Sequence, residues 1–364
     1  MKQRRVIFSG GGTAGHLFPA LAVGRNLLQR EPDVRLTFVG GTRTLEQSLM
    51  SRQAADFIPL RIEGLRGRGL KAVRALFLIP SAFLKSFFLL RKLRPSLSVG
   101  VGGFSSGPVV LLSSWMGIPS LVMEQNSRPG FTNRLLSRWI DRAVVAYESA
   151  LPFFGGKGVL IGNPVREEFN VIGPRTGDER RCLLVFGGSQ GSRFLNHGVT
   201  DALPLLAREK PSLSIRHQTG ERDYGWVKDR YAAAGFTDAV VEPFFFDMPR
   251  LFAEADLVVS RAGATTIAEL VAARRASLLI PFAQAAENHQ LLNARQLEAE
   301  GGTEVMIEEE FSSSAFAAAV LGLIRDEMKL ARMERNLERL KPDRVVERIA
   351  DLCFQLMDSK TRRN

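Results

Sequence analysis

At 364 residues the chain is long enough for two domains of ordinary size, and its 45% apolar content excludes a disordered polymer. A net charge of +11 points to an anionic partner: nucleic acid, a phosphorylated substrate or a membrane surface. Two cysteines, Cys182 and Cys353, exclude a disulfide framework and fit a reducing compartment.

The start, MKQRR, is basic, but the VIF that follows is too short for the apolar region of a signal peptide. VIF instead reads as a strand that runs into SGGGTAGH, residues 9–16, ahead of a helical run, LFPALAVGRNLL. Gly10, Gly12 and Gly15 satisfy G-x-G-x-x-G in the strand-to-helix context of a dinucleotide fingerprint. The next strand, RLTFVG at 35–40, tests that reading, because a nicotinamide site needs an acid at its end for the ribose hydroxyls. The chain has Gly-Gly-Thr-Arg there; Arg43 leaves room only for a phosphorylated cofactor, and no hydride-transfer constellation follows. The loop keeps its general chemistry: glycines let backbone N–H groups approach an anion, and the helix start adds its positive end.

Between Arg61 and Arg94 stand nine Lys or Arg and one acid, Glu63, which is +8 of the total. Within KAVRALFLIPSAFLKSFFLLRK, Val73, Leu76, Ile79, Phe83 and Phe87 recur every three or four residues, a helical stripe with a break at Pro80. Arg74, Lys85 and Pro80 make it a poor spanning helix. An apolar stripe rimmed by basic residues suits the face of an anionic membrane, with part of it in the core.

LSVGVG at 97–102 predicts a strand that enters another glycine loop, VGGFSSGP, carrying Gly102, Gly103, Ser105 and Ser106. SLVMEQ and AVVAY complete the first half, and IGNPVREEF, 161–169, punctuates the chain as a join. RCLLVFG, LSIRHQTG, AVVEPF, DLVVS and SLLIPF follow as strands, separated by amphipathic segments. GGTAG at 11–15 recurs as GGSQG at 187–191, each copy after a strand and before a helix. This predicts an α/β protein of two Rossmann-like domains with parallel sheets, 1–164 and 165–342, plus a final helix over about 343–358.

In SRAGATTIAEL, 260–270, a helix opens near Ala264 or Thr265 after Gly263. Thr265 and Thr266 suit capping of its first N–H groups. Glu269, about one turn inside, suits either a capping box or a carboxylate that accepts from both hydroxyls of a ribose. His16, His197, His217 and His289 show no metal-ligand spacing, and there is no C-x-x-C or D-x-D, so no metal is called for. A leaving diphosphate then relies on helix ends, backbone N–H groups and Arg166.

Taken in order, GGGTAGHLFPALA, GLRGRG, VGGFSSGP, EQNSRPGFTNRLL, GNPVR, GGSQGSRFLN, SRAGATTIAEL and PFAQAAENHQLLNA resemble the MurG family over nearly the whole chain. These are N-acetylglucosaminyltransferases of bacterial peptidoglycan synthesis. The resemblance implies a GT-B fold, two Rossmann-like domains facing across a cleft. It implies transfer of GlcNAc from UDP-GlcNAc, with inversion and no cofactor, to the 4-hydroxyl of MurNAc in lipid I (undecaprenyl-pyrophosphoryl-MurNAc-pentapeptide). The product is lipid II, made peripherally at the cytoplasmic face of the inner membrane, with the donor in the C-terminal domain and the lipid acceptor at the N-terminal one.

Residue by residue, the resemblance implies that Thr13, Ala14 and Gly15 approach the donor sugar and diphosphate, and that Asn126 and Arg166 make polar contacts at the cleft. Ser189 contacts the diphosphate, and the backbone of Phe245 reads uracil. Ala264, Thr265, Thr266, Ile267, Ala268 and Glu269 carry diphosphate and ribose, and Gln290 meets the GlcNAc hydroxyls. Gly102, Gly103, Ser105 and Ser106 are expected on the acceptor side. Met123 stands where many members have His, and FSSGP replaces an aromatic-Val-Ser-Gly-Pro. Inversion needs a single general base. His16 qualifies, at a helix start whose N–H groups oppose a charged imidazole, with Glu124 as its rival. Two other readings stand beside this one: a different GT-B enzyme, a lipid glycosyltransferase or UDP-GlcNAc epimerase, and a basic nucleic-acid-binding protein, for which no motif appears.

Overall fold

The computed structural model describes residues 3–11, 14–42, 47, 50, 55–60, 70–175, 180–285 and 288–361. The chain forms two units, Met1–Pro164 with Pro342–Asn364, and Val165–Lys341. Each is built on a sheet whose strands all pair in parallel.

The first sheet contains β1 (Arg5–Ser9), β2 (Arg35–Gly40), β3 (Asp56–Pro59), β4 (Leu97–Gly100), β5 (Ser120–Glu124), β6 (Arg142–Val145) and β7 (Gly158–Leu160), in the order β3-β2-β1-β4-β5-β6-β7. The second contains β8 (Arg181–Phe186), β9 (Leu213–Gln218), β10 (Val240–Glu242), β11 (Leu257–Ser260), β12 (Ser277–Leu279) and β13 (Glu304–Val305), in the order β10-β9-β8-β11-β12-β13. The central strands are continuous apolar runs because side chains on both faces are covered. In β8, Leu183 and Val185 enter one core with the helices Arg193–Leu206 and Ser313–Arg325, while Leu184 and Phe186 enter another with Met248–Glu254 and Ala264–Ala273. Both sheets share one consequential feature. Strand order reverses between the first and fourth strands of each, β1 beside β4 and β8 beside β11.

The helix Leu70–Leu93 runs through Pro80, so the break expected there does not occur. One missing backbone bond is outweighed by the packing of the line Ala82, Ser86 and Leu90, which is buried. Ile79, Phe83 and Phe87 flank that line half-buried. Among its described side chains the large apolar ones that face outward are Leu84 and Phe88, 58% and 61% exposed. The side chains of Val73 and Leu76 lie outside the described residues. No described helix is long and apolar enough to cross a membrane.

The helix Val345–Thr361 packs on Ala14–Arg30 in the first unit. Arg4 and Arg30 place their guanidinium groups 5.4 and 5.8 Å from the Phe354 ring, and Arg30 pairs with Asp351 at 2.8 Å. In this way the end of the chain braces the helix that leaves the first glycine loop.

Candidate functional site

In the first unit the loops after β1, β4 and β5 leave three neighbouring strands at one edge of the sheet. Gly102 and Gly103 take φ of +94° and +79°, a region that glycine enters without penalty. A Cβ on Gly103 would lie 2.4 Å from the Gly11 carbonyl oxygen, and one on Gly102 would lie 2.9 Å from Cε1 of His16. The two glycine loops therefore interlock, and the imidazole of His16 rests against the backbone of the second. His16 stands in the first turn of Ala14–Arg30, just after Ala14 and Gly15, whereas Thr13 lies outside the described residues. Ser105 and Ser106 are buried, and the Ser106 hydroxyl donates to the Gly103 carbonyl at 2.9 Å. Ser106 thereby braces the loop from within.

Glu124 ends β5 and is buried. Its Oε1 accepts from the backbone and side-chain amides of Asn126 at 3.0 and 3.1 Å. Its Oε2 accepts from Gly130 N at 3.0 Å and Asn133 Nδ2 at 2.8 Å. A carboxylate filled by these donors clasps the loop 125–130 and is ill-suited to take a proton from a substrate.

The second unit repeats the construction at β8 and β11. The loop Gly187–Ser192, with half-buried Ser189, leads into Arg193–Leu206, and Ser192 caps that helix by accepting from Leu195 N at 3.4 Å. Ser192 Oγ also accepts from Arg261 Nε at 2.9 Å. Arg261 is buried, donates to the carbonyls of Ile280 and Pro281 at 3.1 Å each, and pairs with Glu308 at 2.6 Å. Its guanidinium carbon lies 5.3 and 5.4 Å from the Phe194 and Phe282 ring centres. One side chain thus ties the glycine loop to the segment after β12. That segment also leans on Gln290, whose Oε1 accepts from Phe282 N at 3.0 Å. Phe245, beyond β10, donates its N–H to Gln218 at the end of β9.

Gly263 takes the cap position of Ala264–Ala273 and brings no side chain to it, so the capping-box reading of Glu269 falls. Thr265 and Thr266 are half-buried in the first turn. Ile267 returns its amide to the Gly263 carbonyl at 3.0 Å, and its side chain and Ala268 pack into the core. Helical periodicity turns the Ile267 side chain into the core and sets Ala268, partly buried, against it. Glu269 is buried with Arg166 3.9 Å away, and the Arg166 guanidinium lies 5.0 Å from the Phe169 ring centre. Burial pushes the Glu269 carboxyl up to about 7, with the Arg166 charge pulling the other way. Among the described residues no group of His, Cys, Asp and Glu gathers as a metal site.

Arg261 and Gln218 are the side chains that sequence reading passed over. The usable signal for Arg261 was a charge directly after the buried run DLVVS, where it has to be paired.

Two parallel α/β units, each gathering glycine loops and helix starts where strand order reverses, are the construction of a GT-B glycosyltransferase. Residues 6–145 match the Glycosyltransferase family 28 N-terminal domain, and 182–349 the Glycosyltransferase family 28 C-terminal domain. The UDP-N-acetylglucosamine--N-acetylmuramyl-(pentapeptide) pyrophosphoryl-undecaprenol N-acetylglucosamine transferase of Myxococcus xanthus is 41% identical, over 97% of this chain and 93% of its own. The enzyme of that name from Desulfotalea psychrophila is 37% identical, over 98% of each chain. The crystal structure of Acinetobacter baumannii MurG superposes with a TM-score of 0.73 at 27% identity, covering 97% of this chain and 99% of that one. A Neisseria meningitidis UDP-GlcNAc 2-epimerase, at 12% identity and a TM-score of 0.68, shares the fold alone. The chain belongs to glycosyltransferase family 28, in the MurG family of N-acetylglucosamine transferases.

The Glu124 clasp has a direct readout. In Glu124→Ala the amides of Asn126 and Gly130 lose their acceptor, so their hydrogen exchange is expected to speed up. Stability should fall by about 2–4 kcal/mol as the donors lose a buried charged partner. Unchanged exchange at both amides contradicts the clasp.

Proposed function

We propose that the chain transfers GlcNAc from UDP-GlcNAc to the 4-hydroxyl of MurNAc in lipid I, inverting the anomeric carbon and releasing UDP and lipid II. The observation that carries this is end-to-end identity of 37% and 41% with enzymes named for that transfer. The second unit takes the donor. Its diphosphate meets the backbone of the 187–192 loop and the start of Ala264–Ala273, with Arg166 adding positive charge. Glu269 accepts from the ribose hydroxyls, and the Gln290 NH₂ meets the sugar.

The first unit takes the acceptor. His16 removes the proton from the attacking hydroxyl as its oxygen bonds the anomeric carbon, and the bond to the β-phosphate oxygen breaks with its electrons leaving on UDP. The committed carboxylate of Glu124 favours His16 over its rival. The interlocked loops at 10–11 and 102–103 suit the acceptor diphosphate. We further propose a peripheral position on the cytoplasmic face of the inner membrane. Leu84 and Phe88 supply apolar surface there, and the exposed Lys85, Arg91 and Lys92 supply charge for anionic headgroups.

The test of the whole reading is incubation with UDP-GlcNAc and a lipid I analogue, with the product linkage determined. UDP release that depends on the acceptor and a β-1,4-linked disaccharide are expected; release from donor alone points to an epimerase.

Three further outcomes follow from named side chains. In free protein Glu269 is half-protonated at about pH 7, and binding to ribose hydroxyls requires the ionised form. Donor affinity should fall about ten-fold per pH unit below that point and level off above it, and Glu269→Gln should flatten the profile. The sign for folding is opposite. A carboxyl raised from 4.5 to about 7 stabilises the fold fully below 4.5, and that contribution is lost as pH rises through about 7.

His16→Ala should lower kcat by roughly 10²–10⁴ with donor affinity nearly intact, measured by steady-state kinetics; a normal kcat removes His16 from the chemistry. Sedimentation with anionic vesicles should show binding that weakens with salt and with Leu84→Ser/Phe88→Ser, and no binding at low salt counts against a membrane face.

A further inference from the structure

We propose that Asn196, His217, Asp223 and Tyr231 are positioning residues for the glycine loop at 187–192: a buried hydrogen-bond chain that fixes the shape of the loop before a ligand arrives. The inference rests on the reading that this loop takes the donor diphosphate. None of the four side chains is placed against substrate.

The glycine loop rests on the loop that follows β9. Gly191 and Gly220 take φ of +72° and +78°, and the two backbones touch there. A Cβ on Gly191 would lie 1.8 Å from the Thr219 carbonyl oxygen, and one on Gly220 would lie 2.2 Å from that of Gln190. With no slack at the contact, a shift of Thr219 is passed directly to the glycine loop.

The network holds Thr219. Asn196, one turn past the cap Ser192, is buried, and its Nδ2 donates to Thr219 O and to Asp223 Oδ2 at 2.9 Å each. A backbone carbonyl can only accept, so the Asn196 amide has one orientation, and its Oδ1 faces His217 Nε2 at 3.1 Å. Nε2 of the buried His217 therefore carries the proton, and Nδ1 accepts from the Tyr231 hydroxyl at 3.0 Å. Burial pushes the His217 ring down to about 3, which keeps it neutral with one donor and one acceptor. Tyr231 comes from the helix Tyr224–Ala233, so the chain joins two helices, β9 and the loop after it. A leucine at 217 cuts it at the centre and leaves Asn196 Oδ1 and the Tyr231 hydroxyl without these partners. Backbone N–H groups serve a diphosphate best when they are already held in place. Loosening their support should weaken donor binding and spare the groups that react.

The test is steady-state kinetics of the full chain with UDP-GlcNAc and a lipid I analogue, beside calorimetric binding of UDP and thermal unfolding. His217→Leu should raise the donor KM and the Kd for UDP about ten-fold, with kcat at saturating donor and the acceptor KM unchanged. His217→Gln keeps a donor near the place of Nε2 and should restore most of that affinity. Tyr231→Phe removes the far end of the chain and should raise the donor KM about three-fold. Leu203→Ala hollows the same core without touching the network, so it should lower Tm and leave the donor KM unchanged.

A folded His217→Leu with the wild-type donor KM overturns the proposal. So does an equal rise in donor KM in Leu203→Ala, which marks a general softening of the unit. If His217→Leu does not fold, Tyr231→Phe decides, since an unchanged donor KM there overturns it equally. Wild-type protein that binds no UDP overturns the donor reading itself, an outcome distinct from an unchanged KM.

Discussion

In an all-parallel sheet every strand delivers the chain to the same edge, and where strand order reverses the helices that follow the two adjacent loops pass to opposite faces of the sheet. Between them lies backbone that neither helix covers. Both sheets here reverse at the same relative position, β1 against β4 and β8 against β11. The glycine loops after β1, β4 and β8 and the helix starts that carry His16 and Glu269 lie at those two reversals, with Glu124 at the end of the neighbouring β5. Glycine is required where two such loops meet, as Gly103 against Gly11 shows, because a Cβ would collide with backbone that has no room to move.

The charged groups at these edges divide into holders and contacts, and hydrogen bonding decides which is which. Glu124 and Arg261 are buried ions with their bonding capacity spent on neighbouring loops, the condition under which a buried charge is tolerable. Glu269 differs. It is buried with Arg166 3.9 Å away, and burial raises it to about 7. On the proposed reading, in which Glu269 accepts from the donor ribose, donor binding and folding pull the same carboxyl in opposite directions.

Much of the fold was legible in the sequence because buried parallel strands announce themselves as unbroken apolar runs. The strands that escaped reading, β3, β7 and β13, all lie at sheet edges, where a strand is short and only half covered. The glycine loops were legible because φ above zero and close approach leave few alternatives to glycine. What was illegible is long-range pairing. Arg261 reaches Ser192 across 69 residues and Gln218 reaches Phe245 across 27, and no local pattern encodes either. Glu124 stood out as a titratable group beside a motif, yet the donors that satisfy it come from a loop conformation that spacing does not reveal. The helix Leu70–Leu93 shows the limit of periodicity from another side: it located an apolar face but not which line of that face the sheet covers.

The most direct measurement of the central claim, that the strand-order reversal of the second sheet holds the nucleotide through backbone amides, is amide hydrogen exchange of the intact chain with and without UDP. The expected result is slowed exchange at 187–193, 243–246 and 263–269, with the loops at 10–11 and 101–106 unchanged. Protection confined to the first unit's loops, with none at the second unit's, would contradict it.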